Sequence, residues 1–278
     1  MLDLMDVQDV GVSDRVVGGA IGDLRARVYT PVASPAHGAS SRPALVWFHG
    51  GGFVMGSIES HDGVCRGLAS RAGLIVISVA YRLAPEHPFP APVEDAVAAT
   101  RWILAHAAEL GVDPRAAAVG GDSAGGNLSA VVAQALRGDA LRPAFQLLVY
   151  PATDCTRSTR SHALFQDGYI LSREAIDMFM QSYLPDPKTR TDPRASPFFA
   201  SDLSGLPPAM VLTAGFDPLR DEGDAYAANL AAAGVVVEHV PLAGMVHGFF
   251  SMAGAVREAD RTLDRVAGSL RKALAAAS

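Results

Sequence analysis

The sequence predicts an α/β fold, a mostly parallel sheet with helices on both faces. Two observations carry that prediction. Short apolar runs, each ended by glycine or proline, alternate with longer stretches of helical pattern, as buried strands joined by crossover helices do. The chain has 278 residues, 49% of them hydrophobic, which is enough for a single large domain with a substantial core and too apolar for a disordered chain.

The elements follow in order. Residues 15–30 alternate around Gly22-Asp23 and predict an antiparallel hairpin at the sheet's edge. Residues 31–43, rich in Ser, Ala and Pro, predict a surface loop. "ALVWFHG" from Ala44 and "LIVISVA" from Leu74 are buried strands. Pro92 suits a first helical turn, and a helix over 93–110 closes at Gly111 with Asp113-Pro114 beyond it. "AAAVGG" is the next strand, followed by a helix over 127–137 that ends at Gly138, and then by the strand "FQLLVYP". "AMVLTAGFDP", a helix over 220–233 capped by Gly234, and "VVVEHVPL" complete the pattern.

One segment breaks the alternation. Residues 154–200 contain no predicted strand, but they do contain a helix over 173–184 bracketed by proline-rich sequence. Its residues Ile176, Phe179, Met180, Tyr183 and Leu184 share one face. Plain packing is the simplest use of such a stripe. An insertion after a strand's C-terminal end, however, overhangs the crevice where open α/β sheets bind ligands, so the segment is expected to be a lid.

Bulk properties exclude several classes. The net charge is −6 and no run of Lys and Arg occurs, which argues against a nucleic-acid partner. "MLDLMDVQDV" is acidic where a secretory signal starts basic, and no apolar run has bilayer length. The expectation is a cytoplasmic protein without a membrane partner. Cys65 and Cys155 lack both metal-ligand spacing and the density of a disulfide framework, so buried free thiols and no metal are expected.

The stretch "AVGGDSAGGNLSA" carries the chemistry. It is no phosphate cradle, because Gly126 and Asn127 stand where a P-loop needs Lys and Ser/Thr. It comes too late, and with the wrong spacing, for a dinucleotide fingerprint. Gly121-Asp122-Ser123-Ala124-Gly125 does fit a G-x-S-x-G elbow at a strand-to-helix turn. Glycines clear space around the tight turn, which lifts the Ser123 hydroxyl off the sheet at a helix N-terminus.

"HGGGF", His49 to Phe53, follows a buried strand, and its main chain can pass close to a ligand. The amides of Gly51, Gly52 and Ala124 are the candidates to surround an oxyanion, with His49 bracing the loop. A base and an orienting acid are expected in the order Ser, Asp/Glu, His. Asp217 ends a strand, whereas Asp221, Glu222 and Asp224 lie further into the next helix and read as solvated or capping. His247 follows the last strand on a loop, His239 lies inside that strand, and His162 lies in the lid segment. Ser123, His247 and Asp217 are therefore the candidate nucleophile, base and orienting acid.

With these residues placed, the chain resembles the hormone-sensitive-lipase-like carboxylesterases of the α/β-hydrolase superfamily. The shared residues are "HGGGF", "YRLAPEHPFPAPVEDA", "GGDSAGGNL", "DLSGLPPA", "DPLRDEG" and "HGF". The resemblance runs from about Arg15 to the end. It implies a single α/β-hydrolase domain with an eight-stranded core, a Ser123, Asp217, His247 triad, and an oxyanion hole from Gly51, Gly52 and Ala124. It also implies short- to medium-chain acyl esters as small-molecule substrates, no cofactor and, as in many members, a homodimer.

Phe53, Phe165, Phe179 and Tyr183 are the candidates for an apolar acyl pocket, and Arg82 and Glu86 for a pair within the proline-stiffened loop. Members usually carry lid helices ahead of the first strand, whereas here only residues 1–14 precede it. That leaves an open pocket, a partner's cover or a shortened chain as alternatives. Two rival functions share this reading: the same triad acting on a specialised amide, lactone or acetylated molecule, and a non-catalytic receptor, in which the base histidine is replaced.

Overall fold

A computed structural model describes residues 7–32 and 41–277. Among them, strands β1 (Val10–Gly18) and β2 (Asp23–Pro31) form the predicted edge hairpin. They are followed by β3 (Arg42–Phe48), β4 (Ile75–Val79), β5 (Val112–Asp122), β6 (Phe145–Val149), β7 (Ala209–Phe216) and β8 (Val237–Val246). All eight belong to one sheet, in the order β1-β2-β4-β3-β5-β6-β7-β8. The hairpin and the β2/β4 contact are antiparallel, and every later pairing is parallel.

The hairpin starts at Val10, so residues 10–14 of the expected N-terminal segment are strand, paired with Arg27 to Pro31. Their pattern was weak because an edge strand leaves much of its surface in water: Val12 is exposed while Val10 is buried. Most of the loop expected over 31–43, and the first residues of the 1–14 segment, lie outside the described residues.

Alternate side chains divide the core between two faces of the sheet. Leu45 and Trp47 pack towards α1 (Asp62–Ala72) and α7 (Arg257–Ala275), while Val46 and Phe48 pack towards α2 (Ala91–Ala105) and α3 (Ala124–Ala135). Tyr226 and Leu230 of α6 (Arg220–Ala232) join Leu148 and Val211 in a third cluster. α1 and α7 were not predicted, although Leu263, Val266, Leu270 and Leu274 have helical spacing and are fully buried. α3 begins directly after Ser123, three residues earlier than its sequence pattern indicated.

The segment over 154–200 has no strand among the described residues. It holds α4 (Arg160–Leu164), α5 (Arg173–Tyr183) and the 3-10 turns Pro187–Thr191 and Pro197–Phe199. Ser172 caps α5 by accepting the Ala175 N–H, and the apolar face of α5 joins the core beneath it.

The proline-rich loop after β4 is tied down differently from the expected Arg82–Glu86 pair. Glu86 is exposed. The Arg82 guanidinium instead donates to Asp95 of α2, with Nε–Oδ2 2.7 Å and Nη2–Oδ1 2.9 Å. Asp95 is fully buried and also accepts the Ala20 N–H at 3.2 Å. Removing one partner of such a pair strands the other's charge. Urea unfolding of Asp95→Ala is therefore expected to show a loss of about 3 kcal/mol, while Glu86→Ala stays within about 0.5 kcal/mol of the native protein.

Candidate active site

Strand register brings the candidate residues together. Phe216 of β7 pairs with Val246 of β8, so Asp217 and His247, each the next residue, leave the sheet side by side. Phe48 of β3 pairs with Gly121 of β5, which sets the loop from His49 against Asp122 and Ser123. All of these positions lie at the C-terminal edge of parallel strands, where open α/β sheets form their sites.

Ser123 occupies the turn between β5 and α3 with φ 55° and ψ −116°, a conformation that a residue with a Cβ rarely holds. The strain is fixed by backbone partners: Ser123 N–H donates to Val149 O at 2.8 Å, and Ser123 O accepts Asn127 N–H at 3.0 Å and Ala152 N–H at 3.2 Å. A Cβ on Gly125 would collide with the Phe48 carbonyl, which explains why the elbow ends in glycine.

His247 Nε2 lies 3.0 Å from Ser123 Oγ, and His247 Nδ1 lies 2.7 Å from Asp217 Oδ2. The ionised carboxylate fixes the tautomer, since it can only accept: Nδ1–H donates to Asp217 and Nε2 is free to accept the Ser123 proton. Asp217 is fully buried and its other oxygen accepts the Leu219 N–H at 2.9 Å. Burial disfavours a charged His247, but the Asp217 charge and hydrogen bond outweigh it and hold the imidazole above its ordinary range. The ring rests against Tyr150, centroids 4.7 Å apart.

Gly51 and Gly52 have φ of 121° and 62°. Neither N–H has a protein acceptor among the described residues. Ala124 opens α3, so its N–H likewise has no carbonyl a turn earlier in the helix. The loop is braced as expected: His49 Nδ1–H donates to Gly50 O at 2.8 Å, and Tyr81 O–H donates to His49 O at 2.7 Å. Burial, aided by nearby His61, holds His49 near 4, so it braces the loop as a neutral ring.

Gly51, Gly52, Ser123 and Ala124 line a cavity of about 460 Å³. Phe53 and Phe179 line it, together with Ile170, Ile176 and Met180 from the 154–200 segment. Phe165 and Tyr183 do not. Tyr183 is fully buried with its ring 3.8 Å from that of Phe53, one layer behind the wall. Phe165 packs on Tyr169 and Phe216 under the Arg220 guanidinium.

Glu222 is buried rather than solvated. It accepts the Thr153 N–H at 2.7 Å and pairs with His162 at 2.8 Å, anchoring the base of the 154–200 segment to α6. Asp122 and His61 were assigned no role from sequence, yet both line the cavity. Among the described residues no cluster of His, Cys, Asp or Glu is arranged to hold a metal ion, Cys65 and Cys155 are buried and free, and no helix is long and apolar enough to cross a membrane.

The family described by the α/β-hydrolase fold matches residues 45–251. The chain is 48% identical to carboxylic ester hydrolase LipN of Mycobacterium tuberculosis, over 87% of this chain and 65% of that protein. It is 44% identical to esterase LipI of the same organism, over 96% and 83%. The chain thus spans just under two thirds of LipN and most of LipI. A solved esterase from Pyrobaculum calidifontis superposes with a TM-score of 0.91 at 42% identity, covering 99% of this chain and 88% of that one.

The contact between His247 and Asp217 has a direct readout. In an NMR titration, the His247 ring is expected to lose its proton above the ordinary imidazole value of about 6.5, and Asp217→Asn to move that midpoint to lower pH. A midpoint unaffected by the substitution would mean that the carboxylate does not hold the imidazolium.

Proposed function

The chain belongs to the hormone-sensitive-lipase-like family of α/β-hydrolases, and from that membership we propose that it is a carboxylesterase working through Ser123, His247 and Asp217. The observation that carries the reading is the continuous contact Asp217–His247–Ser123, ending on a serine that lines a largely apolar cavity beside Gly51 and Gly52, whose N–H groups have no protein acceptor among the described residues.

Ser123 Oγ attacks the ester carbonyl carbon while its proton passes to His247 Nε2. The carbonyl oxygen becomes an oxyanion and takes hydrogen bonds from the Gly51, Gly52 and Ala124 amides. Losing one such donor costs about 3–4 kcal/mol of transition-state stabilisation. Asp217 stabilises the imidazolium, which then gives its proton to the departing alcohol oxygen as the C–O bond breaks. Water adds to the acyl-enzyme by the same route, and the acid and free Ser123 result.

The cavity supports short- to medium-chain substrates. Its volume of about 460 Å³ is at the lower end of small-molecule sites. In our reading the segment over 154–200 acts as the lid, because α5 contributes Ile176, Phe179 and Met180 to the wall of the cavity that Ser123 also lines.

The test is a series of p-nitrophenyl esters from acetate to palmitate, run with Ser123→Ala alongside. Turnover is expected to peak at short to medium chains and to fall at least about 10⁴-fold in the alanine variant. A rate that rises steadily to palmitate overturns the chain-length reading. Full activity in Ser123→Ala overturns the nucleophile, and cleavage of amides, lactones or acetylated compounds with inert simple esters points to the specialised hydrolase.

A further inference from the structure

We propose that His61 and Asp122 form a buried ion pair, with both ring nitrogens of His61 protonated, and that this pair positions the oxyanion loop. The proposal rests on the esterase reading for its kinetic consequence but not for its charge state.

Asp122 directly precedes Ser123, and its Oδ1 accepts the Gly50 N–H at 2.9 Å. Through that bond the nucleophile's neighbour grips the peptide that leads into Gly51 and Gly52. His49 holds the same residue through its carbonyl, so Gly50 is fixed at both ends. The second group on Asp122 Oδ1 is His61 Nε2, at 3.2 Å. His61 and Asp122 are 3% and 6% exposed, so neither carboxylate nor ring can rely on water for solvation.

Hydrogen-bond bookkeeping gives the ring's charge. Ser60 has one hydroxyl proton, and it donates to the Ser57 carbonyl at 2.9 Å, while Ser60 Oγ accepts the Ser57 N–H at 2.8 Å. His61 Nδ1 lies 2.9 Å from that same Oγ, so this contact takes its proton from the ring. Nε2 faces a carboxylate that is already an acceptor, so it also carries a proton. A ring that carries a proton on both nitrogens is an imidazolium.

The surrounding groups agree. His49 is the nearest other titratable ring, with centroids 5.6 Å apart, and it is held neutral. Glu59 and Asp62, the chain neighbours of His61, are occupied by Arg25 at 2.8 Å and by Arg27 and Arg66. That leaves Asp122 as the counter-ion. Burial works against a charged His61, but Asp122 and the Ser57 backbone overcome it and raise the ring above its ordinary value. For Asp122, burial opposes ionisation, and His61 with the Gly50 N–H overcomes it.

His61 and Asp122 are therefore positioning residues. They touch no reacting atom in this scheme and act through the Gly50 peptide on the amides beyond it. Displacing a preorganised donor by a fraction of an ångström weakens it where charge develops, which lowers kcat more than it raises KM.

Proton–nitrogen NMR of the histidine rings tests the charge state on the native protein, with the His61 signals identified by their loss in His61→Gln. Both ring nitrogens of His61 are expected to carry protons at about pH 7.5, where a free imidazole is neutral. In Asp122→Asn the ring is expected to become neutral at that pH. In ester hydrolysis, Asp122→Ala and His61→Gln are expected to lower kcat about 10- to 100-fold with KM within about threefold. Asp122→Asn, which keeps an acceptor for Gly50, retains more kcat than Asp122→Ala.

A neutral His61 ring in the native protein overturns the ion pair. A folded Asp122→Ala with native kcat overturns the positioning role. If Ser123→Ala kept its turnover the esterase reading would fail instead, and the NMR result would still decide the charge of His61.

Discussion

The backbone of Ser123 sits in a region of conformational space that its side chain disfavours, with φ 55°, and much of the surrounding structure serves to keep it there. β5 must end and α3 must begin around that one residue. The Phe48 carbonyl occupies the space that a side chain on Gly125 would need, and Val149 and Ala152 of the next strand and its loop take the hydrogen bonds of the turn. Asn127, fully buried one turn into α3, donates to the carbonyls of Ala152 and Ala195 at 2.7 Å each. The Ser123 turn is thereby tied to both ends of the inserted segment. Strain of this kind persists only where the surroundings over-determine it, and the result is a hydroxyl held 3.0 Å from His247 Nε2.

Buried pairing of ionisable side chains is the second organising element. Asp217 faces His247, Asp122 faces His61, Glu222 faces His162 and Asp95 faces Arg82, each across 2.7–3.2 Å. Such pairs add little to stability against an apolar replacement but strongly penalise any arrangement that separates them. They therefore specify geometry. One orients His247, one lies on the carboxylate that holds the Gly50 N–H, one anchors the foot of the 154–200 segment, and one locks the proline-rich loop to α2. That loop in turn takes the Phe53 carbonyl through Ala84 N–H and the Tyr183 carbonyl through Phe89 N–H, joining the loop from His49 to α5.

The order of the strands, and the candidate residues at Ser123, Asp217 and His247, were legible in sequence because each rests on local pattern, whereas α1 and α7 were passed over although α7 carries apolar residues at helical spacing. Buried parallel strands are continuous apolar runs, and the elbow and the HGGGF loop are contiguous. The Arg82–Asp95 and Glu222–His162 pairs were not legible, since sequence proximity favoured Glu86 for the first and a solvated helix face for the second. Only the fold shows that α2 turns Asp95 inward and α6 turns Glu222 inward. Tyr183 fits the same pattern: it shares a helical face with Phe179, but Phe53 stacks between it and the cavity. His61 gave no signal at all, because its partner is distant in sequence and is joined to it only by the pairing of β3 with β5.

The central claim is that the Asp217–His247–Ser123 contact makes one hydroxyl nucleophilic. Reaction with a p-nitrophenyl alkylphosphonate, followed by intact and peptide mass measurement, tests it without reference to the natural substrate. The hydroxyl oxygen should form a bond to phosphorus as p-nitrophenol leaves, giving one phosphonyl group per chain on the peptide that contains Ser123. Labelling should be absent in Ser123→Ala and slowed at least about 10³-fold in His247→Ala. Stoichiometric labelling that survives Ser123→Ala, or native-rate labelling without His247, would contradict the account.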